Sequence, residues 1–357
     1  MTKRIVIMAG GTGGHVFPAL AVAQSLQDKG WQVSWLGTQK GLESRVIPDN
    51  GIAIDYVSVA GIRGKGVLSK ITAVFGLFKA CVQAVTVLRQ RKPDVVLGMG
   101  GFVAGPGGLM AKLLGIPLVI HEQNRVVGTT NRLLARIANR VLEAFPDSFK
   151  SSFKATCTGN PLRKQFVGWG EELTPTIGQG VKILIIGGSQ GAQILNEVVP
   201  EAIAHWHTQT AAPAVQVKHQ TGAVMQAQVA ERYQALGIEA EATAFISDMV
   251  AAYQWADILI CRAGAMTVSE VAAVGIPAIF VPLPSAIDDH QTANAKYLTD
   301  ADAGLLLMQK DLNTETLAQH LSLMLNHLNA MSDAAQRLAR LDATEVVANY
   351  CIAEAKP

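Results

Sequence analysis

The chain has 357 residues, 49% of them hydrophobic and 16% charged, with a net charge of +2. That length suits two domains of ordinary size. The weak positive balance and the lack of an RNA- or DNA-binding motif argue against a nucleic-acid partner. Cys81, Cys157, Cys261 and Cys351 stand singly, which excludes a CxxC metal site and argues against a disulfide framework. Residues 5–9 break into glycines too soon for a signal peptide, so a cytoplasmic chain is expected.

In chain order, residues 5–9 read as a strand, followed by Gly10-Gly11-Thr12-Gly13-Gly14-His15 and a helical pattern through Ala19, Val22, Ala23 and Leu26. Gly30 is a stop, and residues 31–36 are the next strand. Residues 61–66 form a basic, glycine-rich loop, and residues 71–88 are mostly apolar. A helix there is expected to bury Val74, Leu77, Cys81, Ala84 and Leu88. Ile71, Phe75, Phe78 and Val82 would form a second stripe, ringed by Lys65, Lys70, Lys79, Arg89, Arg91 and Lys92. A spanning helix needs ~20 apolar residues, and Lys79 sits mid-segment, so this is not a transmembrane helix. Two readings stay open: a helix buried on both sides, or a patch within 62–92 that dips into the headgroup region beside anionic lipids.

A repeat follows. Residues 93–101 give a strand and a glycine turn, then a helix, Gly115-Ile116-Pro117 and another strand. In the second half, residues 183–186 lead into Gly187-Gly188-Ser189-Gln190-Gly191. Residues 257–264 are again followed by a helix, Gly275-Ile276-Pro277 and a strand. Apolar strands alternating with helices mean parallel sheets. The expected fold is α/β: two doubly wound, Rossmann-like domains facing a cleft. The first spans 1–160 and the second 161–341, joined near Asn160-Pro161, with a helix in 342–357 packing back on the first.

Within residues 257–270, Gly264 makes a tight turn and Thr267 is expected to cap a helix starting at Val268. Ligands of open α/β sheets bind outside the carboxyl ends of the strands. The turn's N–H groups and the helix dipole suit a phosphate. Glu270 could accept two hydrogen bonds from a ribose diol; the plainer alternative is an ordinary strand-to-helix turn. No loop matches the full GxGxxG fingerprint and no GxxxxGK[ST] loop is present, which weakens oxidoreductase and nucleotidase readings. Asp300-Ala301-Asp302 spells a DxD, but its polar surroundings read as a solvated loop.

The glycine loops at 10–15, 98–101 and 187–191 recur in order with His121-Glu122-Gln123-Asn124, Gly159-Asn160-Pro161-Leu162-Arg163 and Asp288-Asp289-His290-Gln291-Thr292-Ala293-Asn294. With the 257–270 stretch, this set resembles the MurG family over nearly the whole chain. Those enzymes are peripheral membrane N-acetylglucosaminyltransferases of GT-B fold that convert lipid I to lipid II in peptidoglycan synthesis. The departures are Phe102 where Tyr is expected, Cys261 before the Arg-Ala-Gly turn, and Arg125 after the Asn.

The resemblance implies UDP-N-acetylglucosamine as donor, held mainly by the second domain, with lipid I as acceptor. Glu270 would hold the ribose, and the turn through Ala265, Met266 and Thr267 into Val268 and Ser269 the diphosphate and sugar. Ser189 and Arg163 would balance phosphate charge, and the Ile246 backbone would read the uracil edge. Gln291 and Asn124 would bind sugar hydroxyls. Thr12, Gly13 and Gly14 would let the acceptor's diphosphate approach the backbone. An inverting displacement needs one general base. His15 is the candidate, kept neutral by a helix N-terminus, and Glu122 is the reserve. Helix dipoles and Arg163 can meet the leaving-group charge, so no metal or cofactor is required. The expected location is the cytoplasmic face of the plasma membrane, among cell-wall synthesis proteins. The rivals are a transferase to another lipid such as diacylglycerol, a UDP-N-acetylglucosamine epimerase, and a non-catalytic sugar-nucleotide-binding subunit.

Overall fold

The computed structural model describes residues 2–59, 67–166, 180–188, 190–209 and 214–357, and side chains within these apart from 67–73, Gln209 and Ile287. The chain forms two units, residues 1–164 with 340–357, and residues 165–339.

The first unit runs β1 (Arg4–Met8), α1 (Gly13–Asp28), β2 (Gln32–Gly37), α2 (Glu43–Asp49), β3 (Ala53–Tyr56), α3 (Val67–Arg91), β4 (Val95–Gly98), α4 (Gly101–Leu113), β5 (Leu118–Glu122), α5 (Thr129–Leu134), β6 (Arg140–Glu143) and β7 (Thr156–Cys157). The sheet is parallel, in the order β3-β2-β1-β4-β5-β6-β7. Alternate residues of β1 enter opposite layers. Ile5 and Ile7 pack under α1, while Val6 and Met8 pack under α3 and α4. Each such buried side chain contributes roughly 1.5–3 kcal/mol.

The second unit runs β8 (Val181–Ile186), α6 (Gln193–Gln209), β9 (Val215–Gln220), α7 (Gln226–Ala235), β10 (Glu239–Thr243), α8 (Met249–Trp255), β11 (Ile258–Cys261), α9 (Ala265–Val274), β12 (Ala278–Phe280), α10 (His290–Thr299), β13 (Gly304–Leu306), α11 (Thr314–Leu325) and α12 (Leu328–Arg337). Its parallel sheet has the order β10-β9-β8-β11-β12-β13. Ile183, Ile185, Ile258 and Ile260 lie in one layer with Leu195, Val199 and Trp206 of α6 and Leu317 and Leu321 of α11. The last helix, α13 (Ala343–Glu354), returns to the first unit, where Val347, Ala348 and Cys351 pack beside α1.

The two Gly-Ile-Pro segments do the same work. Gly115 and Gly275 take left-handed backbone (φ 65° and 72°) just after α4 and α9. Each following isoleucine is buried, and the proline ends any helical continuation before β5 and β12.

Two expectations need correction. In α3 the side chains of Ala80, Ala84 and Leu88 are buried and Cys81 is half-buried, but Val74 (67%) and Leu77 (46%) are exposed, as are Phe75, Phe78 and Val82. The reason is length. A 25-residue helix spans roughly 37 Å, more than twice a five-residue strand, so its N-terminal half overhangs the sheet. The basic loop 61–66, with Lys65, lies outside the described residues, as do the side chains of Lys70 and Ile71. The second correction is at Thr267, which caps nothing. Helix α9 starts at Ala265 with Gly264 as N-cap, because the extended backbone of Gly264 (φ −63°, ψ 146°) already begins the helix.

Candidate active site

In each sheet the strand order reverses once, between β1 and β4 in the first unit and between β8 and β11 in the second. Ligand sites of open α/β sheets form at such switch points. Both halves of the sequence repeat fall there.

In the first unit, Thr12 ends the β1–α1 turn and Gly13, Gly14 and His15 form the first turn of α1, while Gly100 ends the β4–α4 turn and Gly101 opens α4. The half-buried His15 ring lies against Gly100: a Cβ there would sit 2.7 Å from its Cδ2 and 2.9 Å from its Nε2. The Nδ1 of His15 is 3.5 Å from the Thr12 hydroxyl. Gln123 borders the same spot, with Oε1 3.6 Å from that Cβ position, so the β5 segment reaches it too.

Glu122 is occupied otherwise. Its Oε1 accepts from the N–H and the side-chain amide of Asn124 (3.0 and 3.3 Å), and its Oε2 from the Gly128 N–H and Asn131 Nδ2 (3.1 and 3.0 Å). A 2% exposed carboxylate saturated this way is built to hold a loop. The residue it holds is Asn124. His121 is buried, its Nε2 bonded to the Gly159 carbonyl (3.0 Å) and its Nδ1 to Gln123 Nε2 (3.0 Å); desolvation lowers its pKa to about 4. Arg163 belongs to this unit, with its guanidinium 6.0 Å from the Phe17 ring centroid.

In the second unit, a cavity of about 690 Å³ opens at the switch point. Gly187, Gly188 and Gly191 line it from the β8–α6 turn, Arg262 and Gly264 from the β11–α9 turn, Thr267 from the first turn of α9, Leu283 from the segment after β12 and Gln291 from α10. Gln291 Oε1 accepts from the Leu283 N–H (3.0 Å), which fixes that wall. Arg262 donates to the carbonyls of Val281 and Pro282 (3.0 and 3.2 Å). Ser189 lies outside the described residues.

Other expected residues stand beside this cavity's walls rather than among them. Glu270 falls in the second turn of α9, and its Oε2 accepts from the Tyr253 hydroxyl (3.1 Å). Val268 is fully buried, its N–H donating to the Gly264 carbonyl (2.9 Å), and Ala265 is nearly fully buried. Met266 and Ser269 are half-buried on α9. The Ile246 N–H donates to Gln220 Oε1 (3.0 Å), whose Nε2 donates to the Gly188 carbonyl (2.7 Å). Asp300, Ala301 and Asp302 are exposed at the end of α10.

Comparison with known proteins is decisive here. The glycosyltransferase family 28 N-terminal domain matches residues 5–143 and the family 28 C-terminal domain residues 182–348. A UDP-N-acetylglucosamine–N-acetylmuramyl-(pentapeptide) pyrophosphoryl-undecaprenol N-acetylglucosamine transferase of Methylococcus capsulatus is 57% identical, over 99% of each chain. The chain belongs to the MurG family. A protein of the same name from Pseudomonas aeruginosa is 50% identical over 100% of both chains. The crystal structure of Acinetobacter baumannii MurG is 41% identical and superposes with a TM-score of 0.84, covering 98% of this chain and 99% of that one. This chain is therefore a glycosyltransferase with two Rossmann-like domains of the GT-B type.

Sequence reasoning gave no role to Arg262, Gln220, Tyr253 or Gly100. Arg262 sits inside the motif that drew attention to Glu270, and its cation type was the available signal. The others depend on pairings across the sheet that spacing does not reveal.

Proposed function

We propose that this chain transfers N-acetylglucosamine from UDP-N-acetylglucosamine to the muramic sugar of undecaprenyl-diphosphate-linked muramyl-pentapeptide, lipid I, with inversion. The observation that carries the reading is full-length identity of 57% to a transferase of that name. Residues 5–143 then take the acceptor and residues 182–348 the donor.

The donor diphosphate lies along the glycine turns of the second unit, where the α9 N-terminus and the Arg262 guanidinium offset its charge. Glu270 holds the ribose and Gln291 the sugar, while Ile246 takes the uracil edge after exchanging its bond to Gln220. By the family resemblance, Asn124 and Arg163 of the first unit and Ser189, outside the described residues, would add to the donor contacts. The acceptor diphosphate rests on Thr12, Gly13 and Gly14. His15 accepts the proton of the attacking hydroxyl as the bond to the anomeric carbon forms and UDP leaves. Glu122 acts through Asn124.

Among the described residues no helix is long and apolar enough to cross a membrane. Exposed Val74, Phe75, Phe78 and Val82 with Lys79 on α3 suit shallow insertion beside anionic headgroups. The proposed location is therefore peripheral, on the cytoplasmic face, near other cell-wall synthesis proteins. Release of UDP that requires a lipid I analogue tests the reading; release with diacylglycerol alone, or sugar epimerisation without acceptor, would count against it.

A further inference from the structure

Glu43 opens α2 and is fully buried. Burying a carboxylate is costly unless hydrogen bonds replace its water. Here they do. Its Oε1 accepts from the Thr38 N–H (2.8 Å) and hydroxyl (2.7 Å), and its Oε2 from the Gly11 N–H (3.0 Å). All three partners are donors, so an acceptor-only group fits and an amide does not.

The cradle is shaped for it. A Cβ on Gly10 would come 2.6 Å from Glu43 Oε1, one on Gly37 2.7 Å from its Cγ, and one on Gly41 2.0 Å from its Oε2. Trp35 Nε1 donates to the Ala9 carbonyl (2.8 Å), so two side chains from β2 and α2 clamp the start of the β1–α1 turn. The clamp reaches the second turn as well. A Cβ on Gly101 would meet the Gly10 carbonyl oxygen at 2.4 Å, so the β4–α4 turn rests directly on the Gly10 backbone. Glu43 is thus in contact with the Gly10-Gly11 segment on which the start of α4 also rests.

We propose that Glu43 is a positioning residue for the acceptor half of the site, holding Gly10 and Gly11 so that the β1–α1 and β4–α4 turns keep His15 in place. The proposal rests on the reading that this half takes lipid I. It gives the carboxylate no proton to move.

The test is UDP release with a short-chain lipid I analogue, each substrate varied in turn, for wild type, Glu43→Gln and Gly41→Ala. The glutamine turns a donor toward a donor. The alanine keeps the carboxylate, adds no left-handed strain at Gly41, and displaces the carboxylate sterically. Both variants are expected to lose about tenfold or more in kcat/KM for the acceptor, with the UDP-N-acetylglucosamine KM within about twofold of wild type. Thermal melts fix an assay temperature below each variant's Tm, and Gly41→Ala alone suffices where Glu43→Gln does not fold. Acceptor kinetics unchanged in folded variants, or a UDP-N-acetylglucosamine KM raised as far as the acceptor kcat/KM falls, would overturn the proposal. A wild type that releases no UDP with lipid I removes the functional reading and this proposal with it, an outcome separable from one seen only in the variants.

Discussion

His15 occupies the space that a side chain on Gly100 would fill, with its Cδ2 2.7 Å from that Cβ position. Gly100 also has φ 95°, a backbone that L residues resist. The β4–α4 turn is thus the seat of the imidazole. Gly100→Ala is expected to lower turnover by about tenfold or more while UDP-N-acetylglucosamine binding is unchanged, because a shift of ~1 Å in a reacting group is costly. Comparing steady-state rates with donor titration checks this, and normal turnover would detach His15 from the chemistry.

Glu122 separates two roles cleanly. As a loop-holding group it accepts four hydrogen bonds, and Glu122→Gln would turn its amide toward at least one of those donors. Leaving a buried donor unmatched costs about 1–3 kcal/mol. The variant should therefore melt lower and show a raised donor KM through a displaced Asn124. Loss of turnover with an unchanged Tm would instead identify Glu122 as the base.

Much of the fold was legible from residues 5–15, 93–101, 183–191 and 257–264, because buried parallel strands are apolar on both faces and each of these four leads into a glycine turn. Gly-Ile-Pro repeated for the same reason, as a left-handed stop before a strand. The overhang of α3 was not legible: its apolar stripes look alike whether covered or bare, and only the length of the neighbouring strands decides. Thr267 misled because threonine suits a cap, whereas the extended backbone of Gly264 begins the helix earlier. Glu43 gave no signal, since its partners at Gly11 and Thr38 are brought to it by sheet order.

Acid should destabilise both units. Burial lowers the pKa of His121 to about 4 and that of His219 to about 3, from an ordinary value of 6.5 for each. The unfolded chain then binds protons that the folded chain refuses. Stability is full above about pH 6.5 and falls as pH drops toward the folded values, by up to about 3 kcal/mol for His121. Melting curves between about pH 7 and pH 5 should show a falling Tm, and a flat profile would contradict these burials.

The exposed face of α3 predicts a separable membrane function. Phe75 and Phe78 are 71% and 69% exposed, so charging them removes no core packing. Phe75→Glu with Phe78→Glu should reduce co-sedimentation with anionic vesicles about tenfold or more. Turnover of a soluble short-chain acceptor should stay near wild type. Equal vesicle binding by the two proteins would remove α3 from the membrane account.

The central claim is tested most directly by UDP release from UDP-N-acetylglucosamine, with and without a short-chain lipid I analogue, for wild type and His15→Ala. The account predicts acceptor-dependent release by wild type and a loss of about 10²-fold or more in the variant, with donor binding kept. Absence of release with lipid I, or near-normal release by His15→Ala, would contradict it.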